Sequence, residues 1–300
     1  IRAKVPVAGS VGRTHPMPRR RLSTGNVEAD AHDDFDQVRQ REVLSRLARW
    51  VLRQPTDVNA ILPFDEVVAA LGRIGERDLG LQPVRLDSIV GTVDRTDGAF
   101  DRDFRPTSTK SRERWVRSAA AMRRGEPFEP ISVYRVGEAH FVRDGHHRVS
   151  VARAAGLGVI DAYVTEVLTR AGATADIRVT DLPLKTHERY FLERVPLTAE
   201  QRSRIQVTRP ESYASLAEGV EAWGFRMVQN LGHMLERADV GGCWFRDEYE
   251  PALALLRDAG LVRPDETDTD AYLRLADARY RLLRAHTWDA DVIDQLRGRV

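Results

Sequence analysis

Val133, Tyr134, Val136, Phe141 and Val142 are strand-forming residues split by the turn signal Gly137-Glu138. A few residues later the apolar period changes. Val149, Ala152 and Ala155 follow helical spacing, and Gly156 supplies a stop. The pattern predicts a strand pair that runs through Asp144-Gly145 directly into a helix. Strand character also marks 83–86, Ile89-Val90 and 159–164. A helix is predicted over 111–124, with Trp115, Ala119 and Met122 on one face and Gly125 at its end. This middle stretch therefore reads as a small mixed unit of strand, helix, hairpin, helix and strand.

The flanks read differently. Phe35, Val38, Val43, Leu44, Leu47, Trp50 and Val51 form one amphipathic stripe, ended by Pro55. A short helix over 64–71 has Asp65 as its cap, Val67, Val68 and Leu71 as its buried side, and Gly72 as its stop. Beyond Val167 strand patterns cease. Helical segments are predicted over 182–192, from Leu197, over 213–237, 244–259, 272–284 and 288–296; in the longest, Leu216, Val220, Trp223, Met227, Leu231 and Leu235 are in phase. The expected fold class is α+β, divided into a disordered basic tail (1–30), N-terminal helices (31–78), a mixed domain (79–168) and an all-helical C-terminal domain (169–300).

Composition narrows the classes of function. The 300 residues carry 46 Lys+Arg against 45 Asp+Glu, a net charge of +1 that does not announce a nucleic-acid binder. Basic residues cluster at the start (Arg2, Lys4, Arg13, Arg19, Arg20, Arg21), and 247–277 is acidic. The single cysteine, Cys243, excludes an internal disulfide framework and reads as a buried thiol. No apolar run reaches the ~20 residues of a membrane span, and no signal-peptide core is evident, so the expected location is cytoplasmic.

Polar chemistry concentrates at Asp144-Gly145-His146-His147-Arg148. A helix start after a glycine turn offers free N–H groups and the positive end of the helix dipole, which suit phosphate. Gly145 allows close backbone approach, Arg148 is a planar cationic donor, and His146 and His147 add hydrogen bonds. Asp144 can hold Mg²⁺, accept a proton from a hydroxyl, or merely cap the helix. Asp144 and His146 are the candidate catalytic groups; Gly145, His146, His147 and Arg148 are the candidate phosphate-binding set. Two adjacent histidines make a poor metal site, and none is expected. Asp94, Asp97, Asp101 and Asp103, with Glu129, are candidates for an acid facing the turn, and Lys110, Arg112 and Arg114 for closing over a nucleotide.

The middle region resembles the ParB/sulfiredoxin superfamily over 79–167. The resemblance rests on the order of Val84-Arg85-Leu86, Pro130-Ile131-Ser132-Val133, Asp144-Gly145-His146-His147-Arg148, Ala152-Arg153 and Gly156. In sulfiredoxins the turn carries a nucleophilic Cys; His146 stands there in this chain, which argues against that chemistry. ParB segregation proteins carry a Glu after the glycine, absent here. The Asp-Gly-His-x-Arg form of the free-serine-kinase-like branch is closest. The resemblance implies binding of a nucleotide (CTP, ATP or ADP, with Mg²⁺) or a phosphorylated small molecule. A hydrolase or phosphotransferase, and a non-catalytic ParB-like regulator binding DNA or protein, both stay open. The region after Val167 lacks a helix-turn-helix signature, so DNA is not supported by that route. Residues 244–296 resemble a helical domain of unknown function found in actinobacterial proteins. Whether the helices from Tyr213 bury one another or join two copies into a homodimer is open as well.

Overall fold

The computed structural model describes residues 24–52, 61–93, 98–231 and 236–299, with the backbone alone for Trp50, Leu231, Arg237 and Ala238. Asp94, Arg95, Asp97 and Leu235, and the first 23 residues of the expected tail, lie outside the described residues. The fold is α+β. Six strands, β1 (Leu62–Pro63), β2 (Arg73–Arg85), β3 (Ile89–Thr92), β4 (Ile131–Val136), β5 (Ala139–Asp144) and β6 (Val159–Thr169), form one mixed sheet in the order β1-β3-β5-β4-β6-β2. The β4–β5 hairpin is antiparallel, while β5 lies parallel to β3 and β4 parallel to β6.

Because strand side chains alternate faces, the middle of the sheet is buried on both sides. Phe141 points to one face and Val142 to the other, and both are fully buried. On the Val142 face lies α4 (His146–Ala154), through Val149 and Ala152. Behind it α3 (Arg112–Arg123) packs on α1 (Val27–Val51), with Trp115 set edge-on to Phe35 at 5.6 Å. The Trp115 indole N–H donates to the Ser150 hydroxyl at 2.8 Å and ties α3 to α4. On the Phe141 face lie α2 (Phe64–Leu71) and α5 (Leu182–Arg194). The core continues from there, without interruption, into α7 (Ser212–Leu231), α8 (Arg237–Trp244) and α9 (Glu250–Asp258) after the short α6 (Ala199–Ser203); α10 (Asp268–Leu283) joins through Tyr272. A π-helical turn, Phe245–Tyr249, links α8 to α9, and α11 (Ala290–Arg297) closes the chain against Leu256 and Leu275.

Several elements differ from the pattern reading. Strand β2 begins at Arg73, ten residues before the strand-forming cluster that starts at Pro83, and the pattern missed this part because β2 is an edge strand whose outer half is charged and exposed: Arg73, Glu76, Arg77 and Asp78. Its partner β6 extends to match it, from Arg85↔Val159 to Arg73↔Thr169. Glu166 on β6 is gripped by Arg135 of β4 and by Arg77 of β2 (2.6 Å), and these cations, Arg135 foremost, hold its carboxyl below the ordinary range. Asp65 does not cap α2. The chain enters that helix straight from β1 with Pro63 at the cap position, and Asp65 sits in the first turn where the dipole favours it. The stripe on α1 is buried only in its first half. Phe35 and Val38 meet α3, but α3 is half as long as α1, and Leu44, Leu47 and Val51 stand exposed beyond it. Cys243 is half-buried, 3.5 Å from Arg246 Nη2. No described helix is long and apolar enough to cross a membrane.

Gly91 shows how tightly β3 is wedged. A Cβ there would collide with the Leu62 carbonyl of β1 and with the Phe141 ring of β5. Gly91→Ala is expected to destabilise the fold by about 2–3 kcal/mol, read as a lowered urea midpoint with unchanged slope.

Candidate functional site

Strand β5 ends at Asp144 and α4 starts at His146, so Gly145 alone must reverse the chain. It does so at φ 104°, ψ 21°, in the left-handed region. A Cβ on it would also collide with Cγ2 of Ile131. The glycine is therefore required twice, by conformation and by the closeness of β4. It has no side chain to cap α4, and no side chain among the described residues accepts from the amides of His147 or Arg148.

Arg148, one turn into the helix, reaches back across the turn. Its Nη1 donates to the carbonyls of Glu129 (2.8 Å) and Pro130 (3.0 Å), and its Nη2 to Asp144 Oδ2 (2.6 Å). The guanidinium thus ties the start of β4 to the end of β5 and to α4. Its side chain is 19% exposed against 73% for Asp144, so the arginine is enclosed by the fold while the carboxylate faces solvent. Asp144 does not cap α4; its oxygen is bound to Arg148 instead.

The histidines face a different set of groups. His146 Nε2 lies 2.6 Å from the hydroxyl of Thr92, the buried end of β3, and its ring stacks near Phe100 and Phe104. His147 meets Phe100 edge-on at 5.2 Å, and its Nδ1 is buried with no hydrogen-bond partner. Burial first, then the positive charge of Arg114 and His146, pushes the His147 pKa down to about 4, so its ring is neutral at pH 7. His140, at the opposite end of β5, is also pushed down to about 4 by burial and by Arg135, with Nδ1 2.9 Å from the Ser88 hydroxyl.

Phe100 and Phe104 come from the polar loop before α3. Asp101 holds this loop in shape: its carboxylate accepts from the amides of Asp103 (3.0 Å) and Arg105 (2.8 Å) and from Arg105 Nε (2.8 Å). Phe104 sits at φ 57°, and Arg153 of α4 lies 5.2 Å over its ring while donating to the carbonyls of Leu86 (2.6 Å) and Ile89 (2.7 Å). Among the loop acids, Asp101 is buried in this turn, Asp103 pairs with Arg105 at 3.1 Å, and Asp94 and Asp97 lie outside the described residues. Glu129 contributes its backbone carbonyl. Arg112 is engaged with Asp36 (2.8 Å), which leaves Arg114 as the cation close to His147.

The structure therefore brings Asp144, Gly145, His146, His147 and Arg148 together at one helix start and divides them into two groups: Asp144 and Arg148 on the β4 side, the histidines on the Phe100 side. Arg114, expected as a cation closing over a nucleotide, joins the histidines, and so do Thr92, Phe100 and Phe104, which the pattern did not assign to the site. The signals of these three are faint: a threonine ending an apolar strand, and aromatics in a polar loop. Glu42 was also missed. It is 2% exposed with one unpartnered carboxylate oxygen, and the visible signal is a glutamate seven residues from Phe35 on the buried stripe of α1. Among the described residues no group of three His, Cys, Asp or Glu side chains is placed to hold a metal ion. A scan against protein-family models finds no match, and a search of curated proteins finds no relative.

Two outcomes are expected. Gly145→Ala should cost about 2 kcal/mol or more, seen in urea unfolding, because neither the backbone angle nor Ile131 accommodates a methyl. Second, His140 and His147 are neutral in the folded chain down to about pH 4, whereas unfolding restores them to about 6.5. The unfolded chain then binds more protons between those values, so stability falls as pH drops from about 6.5 to about 4. A urea midpoint measured across that window should decline, and His147→Gln should flatten the decline.

Proposed function

We propose that the turn from Asp144 to Arg148 binds the phosphate of a nucleotide or other phosphorylated small molecule. The observation that carries this reading is the His147 ring, neutral at pH 7 and with a buried nitrogen that has no partner, one residue into a helix start that no side chain caps. Helix amides and the dipole attract a phosphate oxygen. Arg114 adds positive charge nearby. The likeness of Asp144-Gly145-His146-His147-Arg148 to the free-serine-kinase-like form of the ParB/sulfiredoxin superfamily favours a nucleotide over a bare phosphate. CTP, ATP and ADP are the candidates, and the cytoplasm is the compartment that supplies them.

The residues take different roles in this reading. Gly145 brings the amides close to the ligand. His147 contributes a ring nitrogen, and His146, steadied by Thr92, sits beside it. Asp144 is the exposed carboxylate at the turn; it would share Mg²⁺ with nucleotide phosphate oxygens, which is how Mg²⁺ is commonly held. In a hydrolase or phosphotransferase the same carboxylate is placed to accept a proton from a hydroxyl or water, with His146 as the other candidate catalytic group. Arg148 is a positioning residue, since its donors already serve Glu129, Pro130 and Asp144.

Calorimetry of the full chain with CTP, ATP and ADP, with and without Mg²⁺, tests the reading. At least one nucleotide is expected to bind with Kd below about 1 mM, and His147→Ala to weaken it about tenfold. Arg148→Ala should instead lower the unfolding midpoint as well as affinity. Absence of any nucleotide or inorganic phosphate binding, or an affinity untouched by His147→Ala, rules the reading out. Salt-sensitive DNA binding in that same preparation would support the regulator instead.

A further inference from the structure

An open groove of about 1080 Å³ lies between α7 and α10, far along the chain from the turn, and its floor is built from Trp223, Trp244 and Tyr272. Its charged rim is unevenly matched. Arg274 is bound by Glu266, and Arg281 by Asp277. Arg279 and Arg226 are not so served. Arg279 is 6% exposed, yet its Nε has no partner and its Nη1 reaches Glu248 Oε1 only at 3.4 Å. That same oxygen already accepts from the Trp288 indole at 3.0 Å, and the Trp288 ring covers one face of the guanidinium at 4.1 Å. Burial above all lowers the Arg279 pKa from its ordinary value; Glu248 opposes this, and Arg226 adds to it by repulsion. Arg226 has no hydrogen bond or ion pair among the described residues. A buried charge that is only partly hydrogen-bonded is costly, and a second cation beside it raises that cost.

The α7 wall of the groove carries small side chains. On α7, Ser215, Gly219 and Ala222 line the groove, one turn apart, leading to Arg226. A Cβ on Gly219 would meet nothing within 4 Å. A glycine inside a helix costs about 1 kcal/mol relative to alanine, and here no neighbour crowds that position. The result is a slot of small side chains with the buried, partly hydrogen-bonded Arg279 and the half-buried Arg226 at one end.

We propose that this groove binds an oxyanion carried on a flat apolar body. Arg226 and Arg279 take the oxyanion, and the slot over Gly219 and Trp223 takes the body. Guanidinium forks suit both carboxylates and phosphate monoesters, while a flat body matches an aromatic floor. The site is independent of the turn at Gly145.

Benzoate and phenyl phosphate, titrated into the full chain by calorimetry, separate the two sources of oxyanion. At least one is expected to bind. Arg226→Gln and Gly219→Leu are each expected to weaken it about tenfold or more. Gly219→Leu should fold at least as stably as the parent, since it replaces a helix glycine facing open space. The proposal is overturned if neither probe binds at millimolar concentration, or if one or both variants leave affinity unchanged. It is overturned too if His147→Ala abolishes the heat while Arg226→Gln does not, which assigns the anion to the turn. A dimer in sedimentation that Gly219→Leu returns to monomer would make the slot a contact between copies, and would equally overturn it.

Discussion

The guanidinium of Arg148 is the hinge of this architecture. Two backbone carbonyls entering β4 and one carboxylate leaving β5 all converge on it. Neither carbonyl lies in the β4–β5 ladder, so the arginine adds a tie between the approach to β4 and the end of β5 that the hairpin itself does not supply. The position of α4 follows from this bond set, and with it the histidines, Arg153 and the packing of Phe104. Ser150 on the same helix then fixes α3 through Trp115, and α3 fixes α1. The side chain expected, from its type and its place in the turn, to bind phosphate also ties the start of α4 to both strands of the hairpin.

Much of the sheet was legible because its central strands are buried on both faces and their apolar residues leave no ambiguity. Val133, Phe141 and Val142 had to be strand, and Gly137-Glu138 had to be the turn between them. The outer half of β2 was hidden for the opposite reason. An edge strand that exposes Arg73, Glu76 and Arg77 protects itself from pairing with other chains by being charged, and charge erases the period that identifies a strand. The Asp-rich loop was misleading in another way. A carboxylate that organises its own backbone, as Asp101 does, has the same composition as one that faces a substrate. What distinguishes the two is where the neighbouring amides point, and that is fixed only when Phe100 and Phe104 find the histidine rings.

The helix start and the α7–α10 groove are alike in one physical respect. In each, a polar group is enclosed without a full complement of partners: the His147 ring nitrogen in one, the Arg279 Nε in the other. Buried polar atoms in folded chains are nearly always satisfied, and the described residues hold seven such exceptions, of which these two lie at the helix start and the groove. The two places are built from separate groups of residues.

The core that passes from Phe141 through Phe191, Tyr213 and Trp223 to Tyr249 has a consequence for how this chain can be divided. Its C-terminal helices are the cover of one sheet face as much as they are a helical unit of their own. A gene fragment ending after β6 would encode a sheet and α2 with Leu62, Phe64 and Phe141 left without the C-terminal part of that cover, and a fragment starting at α5 would lack its floor. The hydrophobic core runs across the change from mixed to all-helical texture near Val167. Cutting at that border would part surfaces that pack against each other in one core.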